Sequence, residues 1–565
     1  MATSYPNHDI GAACKNAHNA FTALAALSPE SRAEILDSIA LALDARREDI
    51  LNTCADETAL TIDELIPEFA RMTGTLRMFA ALVREGSWVR AAIDTPALLS
   101  PGDNAGVSGT AEAQHAQHSP SPHAASLHAS PGPGGTAGAQ HVIGPNHDIR
   151  SLLVPLGPVA VFGSSNFPLA YGVCGGDTAS ALAAGCPVII KEHAAHPITG
   201  RLLANIAQQA IAQAFDESEA QARIPASANP SLPHLLQYLR NEDHTDFAIA
   251  RGLVQHPSIA AVGFTGSVPG GLAIEQLARD RTIPIPVFAE VGSLNAIVIS
   301  SISMFRRGIE VAHIIADSVL ARAGQQCTKP GVVFVPFAFS NYDDGSGSDS
   351  DIEHRVLEVL GDRLKQAQPR RLLAPWIAES YERRLSQCIA TGKAWQTRAS
   401  NAAKGAPCLL TTHTSGFRHH STLRDEIFGP ALLVVDLTEG GFGHGEADLP
   451  DLLRQLPGAL TLTVFDEPDG WLGTEIAKSV NAGRIILNGP PTGVRVATSM
   501  VHGGPFPATN APHTTAVGPR AIERWCRPVC YQNCPDGLLP PELQNANPRG
   551  VWRTVNGELT KSAIR

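Results

Sequence analysis

Three short apolar runs constrain this chain more than any other feature. Pro158-Val159-Ala160-Val161-Phe162-Gly163, Pro187-Val188-Ile189-Ile190-Lys191 and Ile259-Ala260-Ala261-Val262-Gly263-Phe264 are too short for helices and show no polar alternation. Each therefore reads as a strand buried on both faces. Helical stretches separate them, from Gly176 to Ala184 and from Thr199 to Ala214, and another follows from Gly270 to Ala278. Strands alternating with helices predict a parallel sheet covered on both sides, with its ligand at the carboxyl ends of the strands.

Polar residues stand where such a sheet would present them. Asn166 follows the first run, Lys191 ends the second, and Thr265-Gly266-Ser267 turns the third into a helix start. Free amides at that start can hold a phosphate, although the glycine spacing is not the G-x-G-x-x-G fingerprint. A second α/β region is expected from Val287 to about Leu487, with strands near Val298 and Val333 and at Ala431 to Val435. Glu290 follows an apolar run at its beginning; an ion-paired surface acid would look the same. Within this region Gly324-Gln325-Gln326-Cys327-Thr328-Lys329-Pro330-Gly331 separates an apolar run, Val311 to Leu320, from a strand-like segment. Glycine and proline on either side place Cys327 on a tight loop, unlike a cysteine packed inside a periodic apolar run.

The remainder reads as scaffold. Ser28-Pro29-Glu30-Ser31 starts a helix with a hydroxyl cap and a first-turn proline, and Asp56 to Glu85 is expected to be helical. From about Pro101 to Gly144 the chain turns to Ser, Gly, Pro, Ala and His, a composition that cannot bury enough surface to offset its ordering entropy. Its histidines lack regular spacing and partner ligands, and Cys526, Cys530 and Cys534 lack a fourth ligand, so no metal is expected. Asp343 to Asp351 reads as an acidic surface loop. With 565 residues, two or three domains are expected. A net charge of −11 and the lack of a basic stripe point away from nucleic acid. No apolar stretch is long enough to cross a bilayer and the amino terminus carries no secretory pattern, so a cytoplasmic protein with free thiols and no membrane partner is expected.

Taken in order, Ser164-Ser165-Asn166-Phe167-Pro168, Lys191, Phe264-Thr265-Gly266-Ser267, Glu290, Gly324-Gln325-Gln326-Cys327 and Glu426-Ile427-Phe428-Gly429-Pro430 resemble the aldehyde dehydrogenase superfamily over nearly the whole chain. Phe288-Ala289-Glu290-Val291-Gly292-Ser293-Leu294-Asn295, Gly175 to Ser180 and His502-Gly503-Gly504-Pro505-Phe506-Pro507-Ala508-Thr509 are similar to its branch acting on 2-oxoglutarate semialdehyde (2,5-dioxopentanoate). The resemblance implies NAD(P)-dependent oxidation of a small-molecule aldehyde to a carboxylate. Cys327 would be the nucleophile, Asn166 the oxyanion donor and Glu290 the base that activates water. Ser165, Lys191, Gly266, Ser267, Glu426 and Phe428 would meet the cofactor, NADP or NAD.

The implied fold is α/β, with a Rossmann-type parallel-sheet cofactor domain, an α/β catalytic domain and a small oligomerisation element. Residues 1–144 would be the helical part of the cofactor domain with the insertion at about 101–144; residues 145–157 an oligomerisation segment; residues 158–289 the cofactor-binding domain; residues 290–487 the catalytic domain; and residues 488–565 a further contribution to oligomerisation, as a homodimer or homotetramer. The sequence departs from relatives that prefer NAD by carrying Ala194, not an acid, three positions after Lys191, which permits NADP. A product with two carboxylates asks for an arginine in the pocket; Arg281, Arg322 and Arg495 are the candidates, and the sequence does not choose among them. A dehydrogenase of aliphatic aldehydes and a catalytically silent scaffold are the alternative readings. Glu290 disfavours transfer to CoA, and no G-x-S-x-G elbow supports a serine hydrolase.

Overall fold

A computed structural model describes residues 9–96, 147–220, 229–241, 247–336, 350–397, 405–437, 445–468, 470, 476 and 481–564. The Ser/Gly/His-rich insertion at 101–144 lies outside the described residues, as does the acidic loop from Asp343 as far as Asp349. Four helices open the chain: α1 (Ile10–Ala25), α2 (Pro29–Ala45), α3 (Arg47–Thr58) and α4 (Ile62–Glu85). Ser28 caps α2 by accepting from Ser31 N–H at 3.1 Å, with Pro29 in the first turn. The helix expected from Asp56 to Glu85 is interrupted, because Ala59 turns left-handed at φ 58°. Thr61 restarts it with a capping box, its hydroxyl accepting from Glu64 N–H while the Glu64 carboxylate accepts from Thr61 N–H at 2.9 Å.

Strands β1 (Ala92–Asp94) and β2 (Ile149–Pro155) come next. The expected alternation then runs β3 (Val159–Phe162), α5 (Gly176–Ala184), β4 (Val188–Lys191), α6 (Pro197–Ala220) and β5 (Leu236–Leu239). It continues through α7 (Ala248–Gln255), β6 (Ala261–Thr265), α8 (Val268–Arg279) and β7 (Val287–Glu290). These five strands form a parallel sheet in the order β5-β4-β3-β6-β7. The chain builds outward from β3 on one side and then returns to add β6 on the other. That switch point opens a crevice at the carboxyl ends of β3 and β6. On a face of the sheet Ala160, Ile189, Val262 and Ala289 pack against Ala13 and Ala17 of α1 and Leu253 of α7.

The second sheet uses β8 (Asn295–Ile299), β9 (Pro330–Val335), β10 (Trp395–Thr397), β11 (Cys408–His413), β12 (Ala431–Asp436), β13 (Ala459–Phe465) and β14 (Ala482–Leu487). Its order is β10-β11-β12-β9-β8-β13-β14, parallel except for the edge strand β10. The apolar run before the nucleophile loop is part of helix α9 (Ser301–Leu320), whose Val311, Ile315 and Val319 lie one turn apart against Ile297, Val333 and Val434.

Chain contacts define two compact units, residues 1–88 with 154–527, and residues 89–153 with 528–565. The boundary expected at 289/290 falls inside the first unit. There β7 is tied to the tail: Val291 N–H donates to Ala508 O at 3.1 Å and Gly292 N–H to Pro507 O at 3.2 Å. The tail expected to begin at 488 divides at Arg527, its first part packing in the same unit as both sheets. The second unit is built on the five-stranded sheet β15-β2-β1-β16-β17, where β15 is Cys526–Gln532, β16 Arg553–Val555 and β17 Glu558–Thr560. Buried Arg553 donates to Asn545 O at 2.8 Å and Ser562 O at 3.1 Å, fastening the tail to itself. No helix among the described residues is long and apolar enough to cross a membrane.

Within the first unit Arg524 is buried and donates to the Asp177 carboxylate at 2.6 Å, while Trp525 Nε1–H donates to Ser180 Oγ at 2.7 Å. Removing the cation alone leaves a buried carboxylate uncompensated. Arg524→Met should cost about 3–5 kcal/mol in a denaturation experiment, and Asp177→Leu added to it should recover most of that loss.

Candidate active site

The nucleophile loop begins with a left-handed turn. Arg322, Ala323 and Gly324 have φ of 51°, 52° and 67°, a conformation that the first two adopt only under external restraint. The restraint is visible. Arg322 is buried, pairs with the Glu68 carboxylate, donates to Asn166 O at 2.9 Å and stacks over the Phe167 ring at 4.4 Å. Gly324 is needed for space as well as conformation, since a Cβ there would fall 2.3 Å from Gly429 O. That contact seats the segment carrying Glu426 and Phe428 against the loop. Beyond the turn, Asn295 Nδ2 donates to Cys327 O at 2.8 Å and to Lys329 O at 2.9 Å. Asn295 Oδ1 in turn accepts from Ser293 and Thr461 hydroxyls.

The Cys327 thiol is half-buried, with its Sγ 3.7 Å from Nε2 of buried His502. Burial pushes the thiol up to about 12, opposed by the charge of Arg71 and reinforced by Glu290 and Glu426. His502 is driven down to about 3 by burial and by the charges of Arg71, Arg484 and Arg524. At neutral pH the pair is therefore a thiol beside a neutral imidazole, too far apart in acidity for the proton to pass between them in the ligand-free site.

Asn166 is buried after β3, and its Nδ2 donates to Gln325 O at 3.0 Å, leaving a second N–H. The Glu68 carboxylate that pairs with Arg322 also accepts from Leu169 N–H at 2.8 Å and Ala170 N–H at 3.1 Å. One side chain on α4 thus fixes both the Asn166 segment and the nucleophile loop. Glu290 closes β7, and its Oε2 is enclosed without a hydrogen-bond partner. Burial raises its carboxyl to about 8, with Asp177 adding to the rise while Arg524 and a hydrogen bond from Thr509 oppose it. Asn166 thus meets the nucleophile loop at Gln325, and the Glu290 charge reaches Cys327.

Ser165, Lys191, Gly266 and Ser267 line the carboxyl ends of β3, β4 and β6. Ser267 caps α8, accepting from Gly270 N–H at 3.3 Å, and the first turn holds no acid. A Cβ on Gly266 would lie 2.7 Å from the Phe264 ring and one on Gly271 2.3 Å from the Val291 side chain. The glycines keep this helix start close and bare, a cradle that fits a dinucleotide pyrophosphate. Burial lowers the pKa of Lys191, against the charge of Glu192. Glu192 itself is wholly buried and paired with Arg201 at 2.7 Å, so it presents no acid to a ligand. Burial pushes the Glu426 carboxyl up, against the charge of Lys329. Among the described residues no three His, Cys, Asp or Glu side chains form a metal-holding group.

Two of the three candidate arginines are occupied by the protein's own acceptors. Arg281 donates to Val254 O at 2.5 Å and Ile259 O at 3.0 Å, and Arg322 serves the nucleophile turn; Arg495 is exposed. Sequence reasoning missed Glu68, Arg71 and a role for His502. Glu68 and Arg71 sit three apart on an otherwise ordinary amphipathic helix, far along the chain from Cys327. His502 stood in a recognised run of glycine and proline, but nothing there announced that it faces a thiol.

A sequence model of the aldehyde dehydrogenase family matches residues 2–98 and 124–505. The chain is 33% identical over 566 aligned residues to an alpha-ketoglutaric semialdehyde dehydrogenase of Acinetobacter baylyi, covering 98% of this chain and 92% of that one. It is 36% identical to alpha-ketoglutaric semialdehyde dehydrogenase 2 of Azospirillum brasilense, covering 97% and 91%. Among solved structures, a lactaldehyde dehydrogenase superposes with TM-score 0.68 at 17% identity over 93% of this chain and 92% of that chain. A glyceraldehyde-3-phosphate dehydrogenase of Methanocaldococcus jannaschii, complexed with NADP, superposes with TM-score 0.67 at 15% identity over 94% and 96%. Proline utilization A of Bradyrhizobium japonicum gives TM-score 0.68 at 18% identity, the chain spanning 45% of that longer protein.

A thiol held up by burial predicts slow alkylation in the ligand-free protein. The rate constant for iodoacetamide at Cys327, followed by peptide mass spectrometry, should rise about tenfold per pH unit from pH 7 to pH 9. A plateau across that range would instead show a thiolate already formed through His502.

Proposed function

The chain belongs to the aldehyde dehydrogenase family, and from that premise we propose that it oxidises 2,5-dioxopentanoate to 2-oxoglutarate. The observation that carries the reading is the Asn166 amide held on the nucleophile loop at Gln325, with a Glu290 carboxyl whose charge reaches Cys327 and whose Oε2 has no hydrogen-bond partner. The substrate is supported by two relatives at 33% and 36% identity over nearly the full chain, both described as alpha-ketoglutaric semialdehyde dehydrogenases.

In this proposal Cys327, as the thiolate left when the thiol gives its proton to solvent, attacks the aldehyde carbon through Sγ. The second N–H of Asn166 and the Cys327 backbone N–H donate to the developing oxyanion. A nicotinamide, when bound, supplies the hydride acceptor. The acyl group then remains on Cys327 as a thioester. Glu290, as carboxylate, takes a proton from a water whose oxygen attacks the acyl carbon, and the Cys327–carbon bond breaks to release the carboxylate product. Lys191 would meet the adenosine ribose, Gly266 and Ser267 the pyrophosphate, Ser165 the neighbouring strand end, and Glu426 with Phe428 the nicotinamide side. Ala194 neither bonds a ribose hydroxyl nor repels a 2′-phosphate, and Glu192 is withdrawn into its pair with Arg201, so both NADP and NAD should be accepted. Self-association belongs to the same reading, through the small sheet unit, which exposes Leu538, Trp552 and Leu559. A monomer in analytical ultracentrifugation would count against that part alone.

Reduced-nicotinamide absorbance tests the reading directly. Wild type should turn over 2,5-dioxopentanoate faster than a medium-chain aliphatic aldehyde, and Cys327→Ala should turn over neither. A mutant that keeps the wild-type rate removes the nucleophile assignment, and faster turnover of the aliphatic aldehyde replaces the substrate. Glu290→Gln should give a burst of about one reduced cofactor per site and then stall. Where hydrolysis limits turnover, the wild-type rate should rise with pH through about 8, because only the deprotonated Glu290 carboxylate acts as base. That limb should be missing in Glu290→Gln.

A further inference from the structure

Among the described residues Arg71 is a cation without a counter-anion, and its charge reaches the nucleophile. It projects from α4, is partly buried, and lies 5.1 Å above the Tyr171 ring while its Nη2 donates to Tyr171 Oη at 2.9 Å. Tyr171 is itself buried and lies 6.3 Å, ring to ring, from His502, which touches the Cys327 thiol. No carboxylate among the described residues pairs with Arg71, and its remaining N–H groups meet no acceptor there. The contrast with its neighbours is direct: Arg322 has Glu68 and Arg524 has Asp177. Arg484, whose charge also reaches Cys327 and His502, bonds the Pro491 carbonyl and pairs with no carboxylate among the described residues.

We propose that Arg71, seconded by Arg484, holds the carboxylate of the substrate, so that the site selects aldehydes bearing a negative charge a short chain away from the reacting carbon. This rests on the dehydrogenase reading above and specifies how that site chooses its substrate. A partly desolvated guanidinium recovers its lost hydration by pairing with an anion. The bond to Tyr171 Oη fixes the plane of the fork, leaving other N–H groups for a two-point contact with carboxylate oxygens. Phe167, Tyr171, Val494, Val496 and Met500 cluster around this position and offer an apolar wall to the intervening carbons.

Two measurements decide it. The first is kcat/KM for 2,5-dioxopentanoate divided by kcat/KM for pentanal, in wild type, Arg71→Met and Arg71→Lys. In Arg71→Met the ratio should fall on the order of 30- to 1000-fold, chiefly through KM for the charged aldehyde, with partial recovery in Arg71→Lys. An equal loss on both aldehydes, or an unchanged ratio, overturns the proposal, since Arg71 would then act on the thiol or on packing alone. The second measurement does not depend on turnover. Glutarate should slow iodoacetamide labelling of Cys327 in wild type and not in Arg71→Met; no protection in wild type overturns the proposal. If wild type oxidises pentanal but not 2,5-dioxopentanoate while glutarate protects, the named substrate fails and the anion site stands.

Discussion

The catalytic geometry depends on a left-handed turn that the chain would not make unaided. Two non-glycine residues, Arg322 and Ala323, hold positive φ immediately before Gly324. Each such residue costs about 1 kcal/mol or more. The turn persists because the Arg322 guanidinium is held by Glu68, by the Asn166 carbonyl and by the Phe167 ring. Glu68 is therefore a positioning residue. Its carboxylate fixes the backbone after Asn166 and the turn before Cys327, so that nucleophile and amide donor come from two different sheets yet keep one geometry. Gly324 closes the third side by fitting against Gly429, which brings Glu426 and Phe428 to the same loop.

Burial then sets the chemistry in opposite directions at each group. It holds Cys327 as a thiol, Glu290 largely as a carboxylic acid and His502 as a neutral base. Neither the thiol nor the carboxylic acid is the reactive state of an acylating enzyme. The ligand-free site is accordingly a set of uncharged groups ringed by Arg71, Arg484 and Arg524, with its reactivity awaiting a change in the local field.

Much of this could be read in the residues themselves. The strands at Val159, Val188 and Ala261 were legible because doubly buried strands cannot alternate polar and apolar residues. The edge strands Leu236–Leu239 and Val287–Glu290 were harder, one following a proline-containing turn and the other resembling an ordinary acid-ended segment. Cys327, Glu290 and Asn166 stood at element ends where a core has no use for them. Glu68, Arg71 and His502 were not legible as site residues, because their meaning comes from contacts made by distant parts of the chain. Glu68 lies 254 positions from its arginine, and His502 175 positions from its thiol. A helix face shows which residues are polar, not which partner will meet them.

The cations also couple substrate arrival to the protonation of the site. While Arg71 and Arg484 are uncompensated, their field favours a thiolate at Cys327 but denies His502 a proton. An anionic substrate seated on Arg71 cancels part of that field. Both groups then hold protons more tightly, so the difference between them, which governs any transfer, is left nearly unchanged. A neutral aldehyde leaves the field in place and His502 weakly basic. On these terms an unpaired arginine selects for charge in binding the carboxylate, not in moving the thiol proton.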